Sequence, residues 1–304
     1  MTDLETVLDL CLQRHQGEPG ARRLFHGRGH CYPGLEFLCV DWFFPYIMIT
    51  QFGDGYSSTW IDELARLLHQ SLKGVAGVQL QVRNGRATHY RNLIGQLPQT
   101  HVIQEAGLRY QIDFARNQNI GFFLDMSPAR NWLRSRAQGK KVLNLFAFTC
   151  AFSVAAIAGG ARQVVNNDMS RSVLARGREN HELNSQNLSR VSFLPHNLFR
   201  SWGKLRQLGR YELIVIDPPT NQRGSFVAEK DYGTVLKRIS QLAHPGAEIL
   251  ACLNSPFLPF SFLQQQMARR CPDCRLLERL PVAEAFEERH PDRGLKLGVF
   301  RYDP

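Results

Sequence analysis

The chain has 304 residues and is 43% hydrophobic, with 37 Lys and Arg against 27 Asp and Glu, a formal net charge of +10. Such a length suits about two domains with sizeable cores, and the composition excludes wholesale disorder. The positive balance favours a polyanionic partner, nucleic acid first. No stretch approaches the roughly 20 apolar residues of a membrane span; the cluster at 42–49 is short and interrupted by Pro45. The N-terminus lacks the basic-then-apolar order of a signal peptide. The seven cysteines are odd in number and scattered, so no disulfide framework is expected and the compartment is expected to be cytoplasmic. Cys271-Pro272-Asp273-Cys274 has no second ligand pair, so it reads as a turn between a helix and a strand, and no metal site is expected.

Along the chain, Met1, Leu4, Val7, Leu8 and Cys11 recur at helical spacing and predict a short amphipathic helix. Residues 37–41 and 46–51 read as paired strands around Pro45, and 52–58 as a turn cluster. Ile61, Leu64, Leu67 and Leu68 predict a helix over 60–72, capped by Ser58 or Thr59. A strand is expected at 78–82, a turn at Asn84-Gly85, and a further strand at 110–114, ending an α+β domain over 1–115. From Lys140 onward, strands at 141–147, 163–167, 191–194, 211–217 and 248–253 alternate with helices. These helices are at 152–158, 170–183 (capped by Ser170), 226–243 and 260–270. Strands at 275–281 and 295–302 close the chain. The alternation predicts an α/β domain over 116–304, a doubly wound parallel sheet. Ligands bind such sheets outside the carboxyl ends of the strands, here just after 147, 167, 194, 217 and 253.

The loop after the first of these strands, Phe146-Ala147-Phe148-Thr149-Cys150, has no glycine. That opposes a dinucleotide fingerprint or a P-loop and fits a ligand without phosphates. Asp168, at the second strand end, reads either as an acceptor for ribose hydroxyls or as a helix N-terminal carboxylate beside Ser170. Asp217-Pro218-Pro219-Thr220 follows the fourth strand. The prolines fix φ and remove two donors. What remains is a carboxylate and carbonyl oxygens, suited to an exocyclic amine or a cationic methyl donor; the plainer reading is a rigid strand-ending turn.

These segments resemble a known family. Phe122-Phe-Leu-Asp125, Val142-Leu-Asn-Leu-Phe-Ala-Phe-Thr149, Asn167-Asp-Met-Ser170, Asn180-x-x-x-Asn184 and Asp217-Pro-Pro-Thr220 are similar to the bacterial large-subunit ribosomal RNA methyltransferases that use S-adenosylmethionine. Cytosine-C5 and guanine-N7 branches belong to that group. The resemblance runs from about Arg23 to Tyr302. It implies a class I methyltransferase fold, Rossmann-like and doubly wound, behind a smaller α+β domain, with the PUA domain that opens many relatives expected to be absent. By the same resemblance, Asp125 begins the donor pocket. Asn144, Phe146, Phe148 and Thr149 form the first-strand loop under the methionine part, Asp168 holds the ribose, and Met169 lies beside the adenine. Asn197 meets the adenine amino group, and Asp217, Pro218, Pro219 and Thr220 face the target base. The sequence departs from the family at Cys150, where glycine is common; at Met126-Ser127, where a pair ending in Arg is common and Arg130 is the nearest substitute; and at His196-Asn197, where an acid is common.

Cytosine-C5 methylation needs a thiolate that adds to the ring, whereas a ring or exocyclic nitrogen needs none. The cytosine branch places its cysteine just after the fifth strand, and that position is Asn254, with Cys252 inside the strand. Asn254, like Thr220 after the prolines, resembles the guanine branch, and the resemblance therefore favours a purine nitrogen, guanine first, over cytosine C5. A non-catalytic RNA-binding protein on a degenerate fold, and a methyltransferase for protein or small molecules, are the alternatives. Candidate phosphate contacts are Arg22, Arg23 and Arg28; Arg130, Arg134, Arg136, Lys140 and Lys141; and Arg200, Lys204, Arg206 and Arg210. Trp42, Tyr56 and Trp202 are candidate stacking residues for unpaired bases, core packing being equally open for Trp42.

Overall fold

The computed structural model describes residues 2–15, 17, 19–85, 87–115, 118–222 and 226–304. It divides into two compact units. One contains Met1–Leu124 and Ala283–Arg289, the other Asp125–Val282 and His290–Pro304. The division thus falls after 124 rather than after 115, and a short late segment returns to the first unit.

The first unit starts with α1 (Asp3–His15), followed by β1 (Ala21–His26), β2 (Leu38–Phe43), β3 (Tyr46–Phe52), α2 (Ser58–Ser71), β4 (Gly77–Asn84) and β5 (Ala87–Ile94). The five strands form one sheet in sequence order. All neighbours are antiparallel except β3 and β4, which α2 joins as a crossover. The cap of α2 is Ser57, one residue earlier than expected, its side chain accepting from Trp60 N. Val7 and Cys11 of α1 and Ile61, Leu64 and Leu68 of α2 bury one sheet face, against Leu24, Val40, Ile47 and Ile49. A hairpin of β6 (Thr100–Glu105) and β7 (Leu108–Asp113) completes the unit.

The second unit begins with α3 (Ser127–Arg136), then β8 (Lys141–Leu145), α4 (Ala151–Ala158), β9 (Gln163–Asp168), α5 (Arg171–Leu183), β10 (Val191–Pro195), α6 (Trp202–Gln207) and β11 (Tyr211–Ile216). A two-residue ladder of β12 (Asn221–Gln222) and β13 (Phe226–Val227) comes next. It is followed by α7 (Ala228–Leu236), α8 (Ile239–Leu242), β14 (Ala243–Asn254), α9 (Phe260–Arg270), β15 (Cys274–Leu280) and β16 (Leu295–Tyr302). The single helix expected over 226–243 is therefore a short strand and two helices. The sheet order is β10-β9-β8-β11-β14-β16-β15. The first five strands are parallel, and β16 and β15 are antiparallel additions.

Period-two alternation along the central strands explains the two layers. Val142, Val164, Leu213, Val215 and Leu250 pack with Ala129, Leu133, Phe152 and Ala156 of α3 and α4. Their neighbours Leu143, Leu145, Val165, Ile214, Ile216 and Ile249 pack with Leu205, Val235, Leu236, Leu242, Leu263 and Met267 of α6–α9. This is the α/β doubly wound architecture of a class I methyltransferase, with a smaller α+β unit beside it in the sequence. Cys271 and Cys274 form the turn from α9 to β15, Cys274 N donating to Cys271 O at 2.9 Å. No helix among the described residues is long and apolar enough to cross a membrane.

Candidate functional site

The carboxyl ends of β8, β9, β10, β11 and β14 lie on one edge of the parallel sheet, and the candidate residues Asp168, Asn197, Asp217 and Asn254 stand at or just after those ends. Asp168 is the last residue of β9. Its Oδ1 accepts from Ser170 N at 2.8 Å and its Oδ2 from Phe148 N at 2.9 Å. One half-buried carboxylate thus ties the β8–α4 loop to the start of α5. Both readings of Asp168 survive, because a carboxylate offers about four lone-pair sites and these bonds use two. Met169, beside it, is 49% exposed.

The β8–α4 loop is bent in an unusual way. Phe146, Phe148 and Cys150 have φ of 59°, 47° and 62°. Non-glycine residues held in the left-handed region cost about 1–3 kcal/mol each and concentrate at ligand sites. Several bonds hold the bend. Ala147 N donates to Asn167 O (3.0 Å), Cys150 N to Ala147 O (2.8 Å) and Asn180 Nδ2 to Thr149 O (2.9 Å). Asn184 Nδ2 in turn donates to Asn180 O at 2.8 Å, which gives the Asn180-x-x-x-Asn184 pattern its physical content. Cys150 adopts the left-handed conformation that glycine would take without strain. Its side chain fits because Gly177 of α5 stands opposite: a Cβ there would lie 2.4 Å from Cys150 Sγ and 2.9 Å from its Cβ.

Asn144, expected in the loop, is instead inside β8 and 1% exposed. Its Nδ2 donates to Asn166 Oδ1 (2.9 Å), and Asn166 Nδ2 donates to Ser153 Oγ (2.9 Å). Ser153 Oγ lies 2.9 Å from His181 Nε2, and His181 Nδ1 lies 2.5 Å from Gln186 Oε1. Burial pushes the His181 imidazole down to about 4, despite the Gln186 bond, so the ring is neutral. Neutrality fixes the tautomer: Nδ1–H donates to Gln186, and Nε2 accepts from Ser153. This chain was not anticipated, although two adjacent asparagines in an otherwise apolar strand were its signal. Asn197 caps the turn at 198–200, its Oδ1 accepting from Phe199 N at 2.9 Å.

Asp217 follows β11. Burial pushes its carboxyl up to about 7, the Asp125 carboxylate adds to the push, and Arg130 opposes it. The residue keeps intermediate exposure, so water tempers the push without reversing it. Arg130 is on α3 and only 3% exposed, so it belongs to this carboxyl cluster and not to a solvated basic surface. Pro218 is buried and Pro219 half-buried. The Thr220 hydroxyl donates to the Asn254 carbonyl, and Ala228 N donates to Thr220 O at 3.1 Å. Asn254 is the last residue of β14 rather than a loop residue, and it is exposed. Cys252 is 1% exposed within β14. Burial, then the Asp217 and Asp125 carboxylates, hold its thiol well above the usual range. Of the seven cysteines only Cys31, in the first unit, is exposed.

The expected surface residues divide. Arg23 is paired with Asp41 at 2.5 Å, and Arg136 lies 3.2 Å from Glu248 and 3.4 Å from Glu278. Lys141 Nζ donates to Leu208 O. Arg200, Lys204 and Arg206 are exposed, with no carboxylate partner among the described residues. Trp42 and Trp202, candidate stacking residues, are core residues at 0% and 8% exposure. Tyr56 stacks on Trp60 at 4.6 Å.

Residues 22–301 match the family model described as S-adenosylmethionine-dependent methyltransferase. The chain is 27% identical over 281 residues to the protein named ribosomal RNA large subunit methyltransferase I of Aeromonas salmonicida (strain A449), covering 86% of this chain and 71% of that one. It is 28% identical over 252 residues to the protein of the same name from Yersinia pseudotuberculosis serotype O:1b (strain IP 31758), covering 81% and 64%. The chain therefore spans only 64–71% of the length of these relatives. Among solved structures, SMU.776 complexed with SAH superposes with a TM-score of 0.85 at 23% identity, covering 99% of this chain and 82% of that one.

Proposed function

Because the chain belongs to the S-adenosylmethionine-dependent methyltransferase family, we propose that it methylates large-subunit ribosomal RNA in the cytoplasm, at a purine nitrogen, guanine first. The names of its relatives support the RNA class, as do the net charge of +10 and the exposed Arg200, Lys204 and Arg206. When bound, S-adenosylmethionine supplies an electrophilic methyl group on a sulfonium.

The residues at the sheet edge fit such a donor. Asp168 has lone pairs left for the ribose hydroxyls, and half-exposed Met169 offers an apolar contact for the adenine. Asn197 keeps its amide nitrogen and a second lone pair of Oδ1 beyond the cap. Phe146, Phe148 and Thr149 shape the floor. The acidic pair Asp125 and Asp217 favours a cation, and buried Arg130 suits the carboxylate of the methionine part. Asn144 acts from beneath, by fixing β8 against β9.

The acceptor faces Asp217, Pro218, Pro219, Thr220 and Asn254. Asp217 accepts a hydrogen bond from the base edge and aligns the nitrogen lone pair with the methyl–sulfur axis. The observation that carries the choice of nitrogen over cytosine C5 is the state of Cys252: a buried thiol held well above its usual range is a poor source of thiolate. The test is mass-spectrometric mapping of modified nucleosides in large-subunit ribosomal RNA with and without the gene. An N-methyl purine lost with the gene is expected. Loss of a 5-methylcytosine would overturn the nitrogen, and an unchanged map would overturn the RNA substrate.

A further inference from the structure

The loop that follows β14 is built around an unusual lysine. Lys296 of β16 is 0% exposed, and its Nζ donates to three backbone carbonyls: Ser255 (2.6 Å), Asp292 (2.7 Å) and Gly294 (2.8 Å). Burying an ammonium is costly unless its donors are met. Here they are met by the main chain of 255 and of 292–294, so the charge serves to hold backbone in place.

The rest of the loop is pinned as well. The Thr220 hydroxyl holds the Asn254 carbonyl, and Phe257 N donates to Ser255 Oγ at 3.3 Å. Leu258 packs on the core beneath, and Phe260 N donates to Asp292 Oδ1 at 3.4 Å. Pro256 and Pro259 remove backbone freedom on either side of 257–258. Within this fixed loop one large side chain is left out: Phe257 is 86% exposed. A single exposed phenylalanine on a mobile tip would be ordinary. One held outward by a buried lysine and two prolines is preorganised. It stands three residues after Asn254, so it lies within roughly 11 Å of that residue by chain length, and the Asn254 carbonyl in turn touches Thr220 of the Asp217-Pro218-Pro219-Thr220 edge.

We propose that Phe257 is the aromatic platform on which the acceptor nucleobase stacks during transfer, and that Lys296 is the positioning residue that aims it. The inference rests on the RNA methyltransferase reading. An aromatic face binds any unpaired base through its π surface, which is the chemistry required to hold a base drawn out of its stack. Asp217 and the prolines then read the base edge while Phe257 holds its plane.

The test uses the full chain and an unmodified transcript of large-subunit ribosomal RNA, with donor affinity measured by calorimetry on every variant. Phe257→Ala and Phe257→Leu are expected to raise KM for RNA, or the RNA Kd, by about tenfold, with donor affinity unchanged. Phe257→Trp is expected to remain within about threefold of wild type, since only a stacking role is rescued by another aromatic. Lys296→Met is expected to reproduce the RNA defect with donor affinity intact, and adding Phe257→Ala to it should give little further loss. A Phe257→Ala protein with RNA KM within about twofold of wild type would overturn the proposal while leaving the enzyme reading untouched. Wild-type protein that binds donor and RNA without transferring a methyl group would overturn the enzyme reading, and loss of RNA affinity in Phe257→Ala would still support stacking.

Discussion

Replacing Gly177 with alanine tests how the strained β8–α4 loop is accommodated. The new Cβ would stand 2.4 Å from Cys150 Sγ and 2.9 Å from Cys150 Cβ, against about 3.5–4.0 Å for an unstrained contact. Cys150 is 0% exposed, and its loop is pinned through Phe148 N to Asp168 and through Thr149 O to Asn180. Little can give. Overpacking costs about 1–3 kcal/mol, here about 2–3 because so little can give, while alanine in a helix gains about 1 kcal/mol over glycine, so a net loss of about 1–2 kcal/mol is expected. Cys150→Gly removes the obstructing atoms and relieves about 1–2 kcal/mol of left-handed strain, against about 0.5–1 kcal/mol of added backbone entropy and a lost buried thiol. In the double variant the nearest remaining contact is the Thr149 carbonyl carbon at 3.4 Å, which is ordinary. The two changes should therefore couple by about 1–3 kcal/mol, the double variant being more stable than Gly177→Ala alone. Urea unfolding at constant m measures the cycle. Additivity within about 0.5 kcal/mol, or a Gly177→Ala protein as stable as wild type, would refute the packing argument.

Other outcomes follow from the same edge of the sheet. Asp168→Ala removes charge-assisted hydrogen bonds worth about 1.5–3 kcal/mol each and should weaken S-adenosylmethionine binding at least tenfold by calorimetry; unchanged affinity in a folded variant removes Asp168 from the site. Asp217 has a folded pKa of about 7, above its unfolded value, so its contribution to stability is present at low pH and is lost as pH rises through about 7. Asp217→Asn should therefore flatten the fall in unfolding midpoint between pH about 4 and about 7, and a slope identical to wild type would contradict the assignment. If the carboxylate form aligns the acceptor, transfer should also rise with pH through about 7 in wild type and lose that step in Asp217→Asn. Cys252→Ala should transfer methyl groups at nearly the wild-type rate, and no covalent adduct should be trapped on RNA containing fluorinated cytosine; an inactive variant together with such an adduct would establish the cytosine mechanism.

The central strands were legible because buried parallel strands are short apolar runs closed by polar residues, as in Tyr211–Ile216 before Asp217. Ser170 was legible as a cap because its hydroxyl precedes a periodic helix. Strand β5 was not: it alternates exposed and half-buried positions at a sheet edge, and its composition reads as loop. The helix expected over 226–243 failed because apolar spacing does not register that Phe226 and Val227 pair as a strand. Among the proposed site residues, Asp168 and Asp217 stood out in the sequence from their places at strand ends. The partners that shift Asp217 come from α3, far away in sequence, and Arg130 looked like one more surface cation. Trp202 read as a stacking residue, and Trp42 as either stacking or core, because an isolated aromatic carries no sign of which way it faces. Phe257 and Lys296 were missed for the same reason: one sits between prolines, and the other reads in sequence like any exposed lysine near the start of a strand.

The buried chain from Asn144 to His181 has a consequence for folding fidelity. Parallel strands covered on both faces are nearly uniform in Val, Ile and Leu, so apolar burial alone discriminates weakly between pairing registers. In the native ladder Asn144 stands directly opposite Asn166. Slid by two residues, β8 would keep its faces and most of its apolar burial, but Asn144 would meet Val164 or Asp168. Asn144 Nδ2 and Asn166 Oδ1 would then lose each other, at about 1–3 kcal/mol for each buried polar group left unmet. The pair works like a notched key: only one alignment of the two strands lets Asn144 hand its hydrogen to the head of the buried chain. The sheet thus carries its own alignment mark, placed immediately behind the loop whose geometry depends on it most.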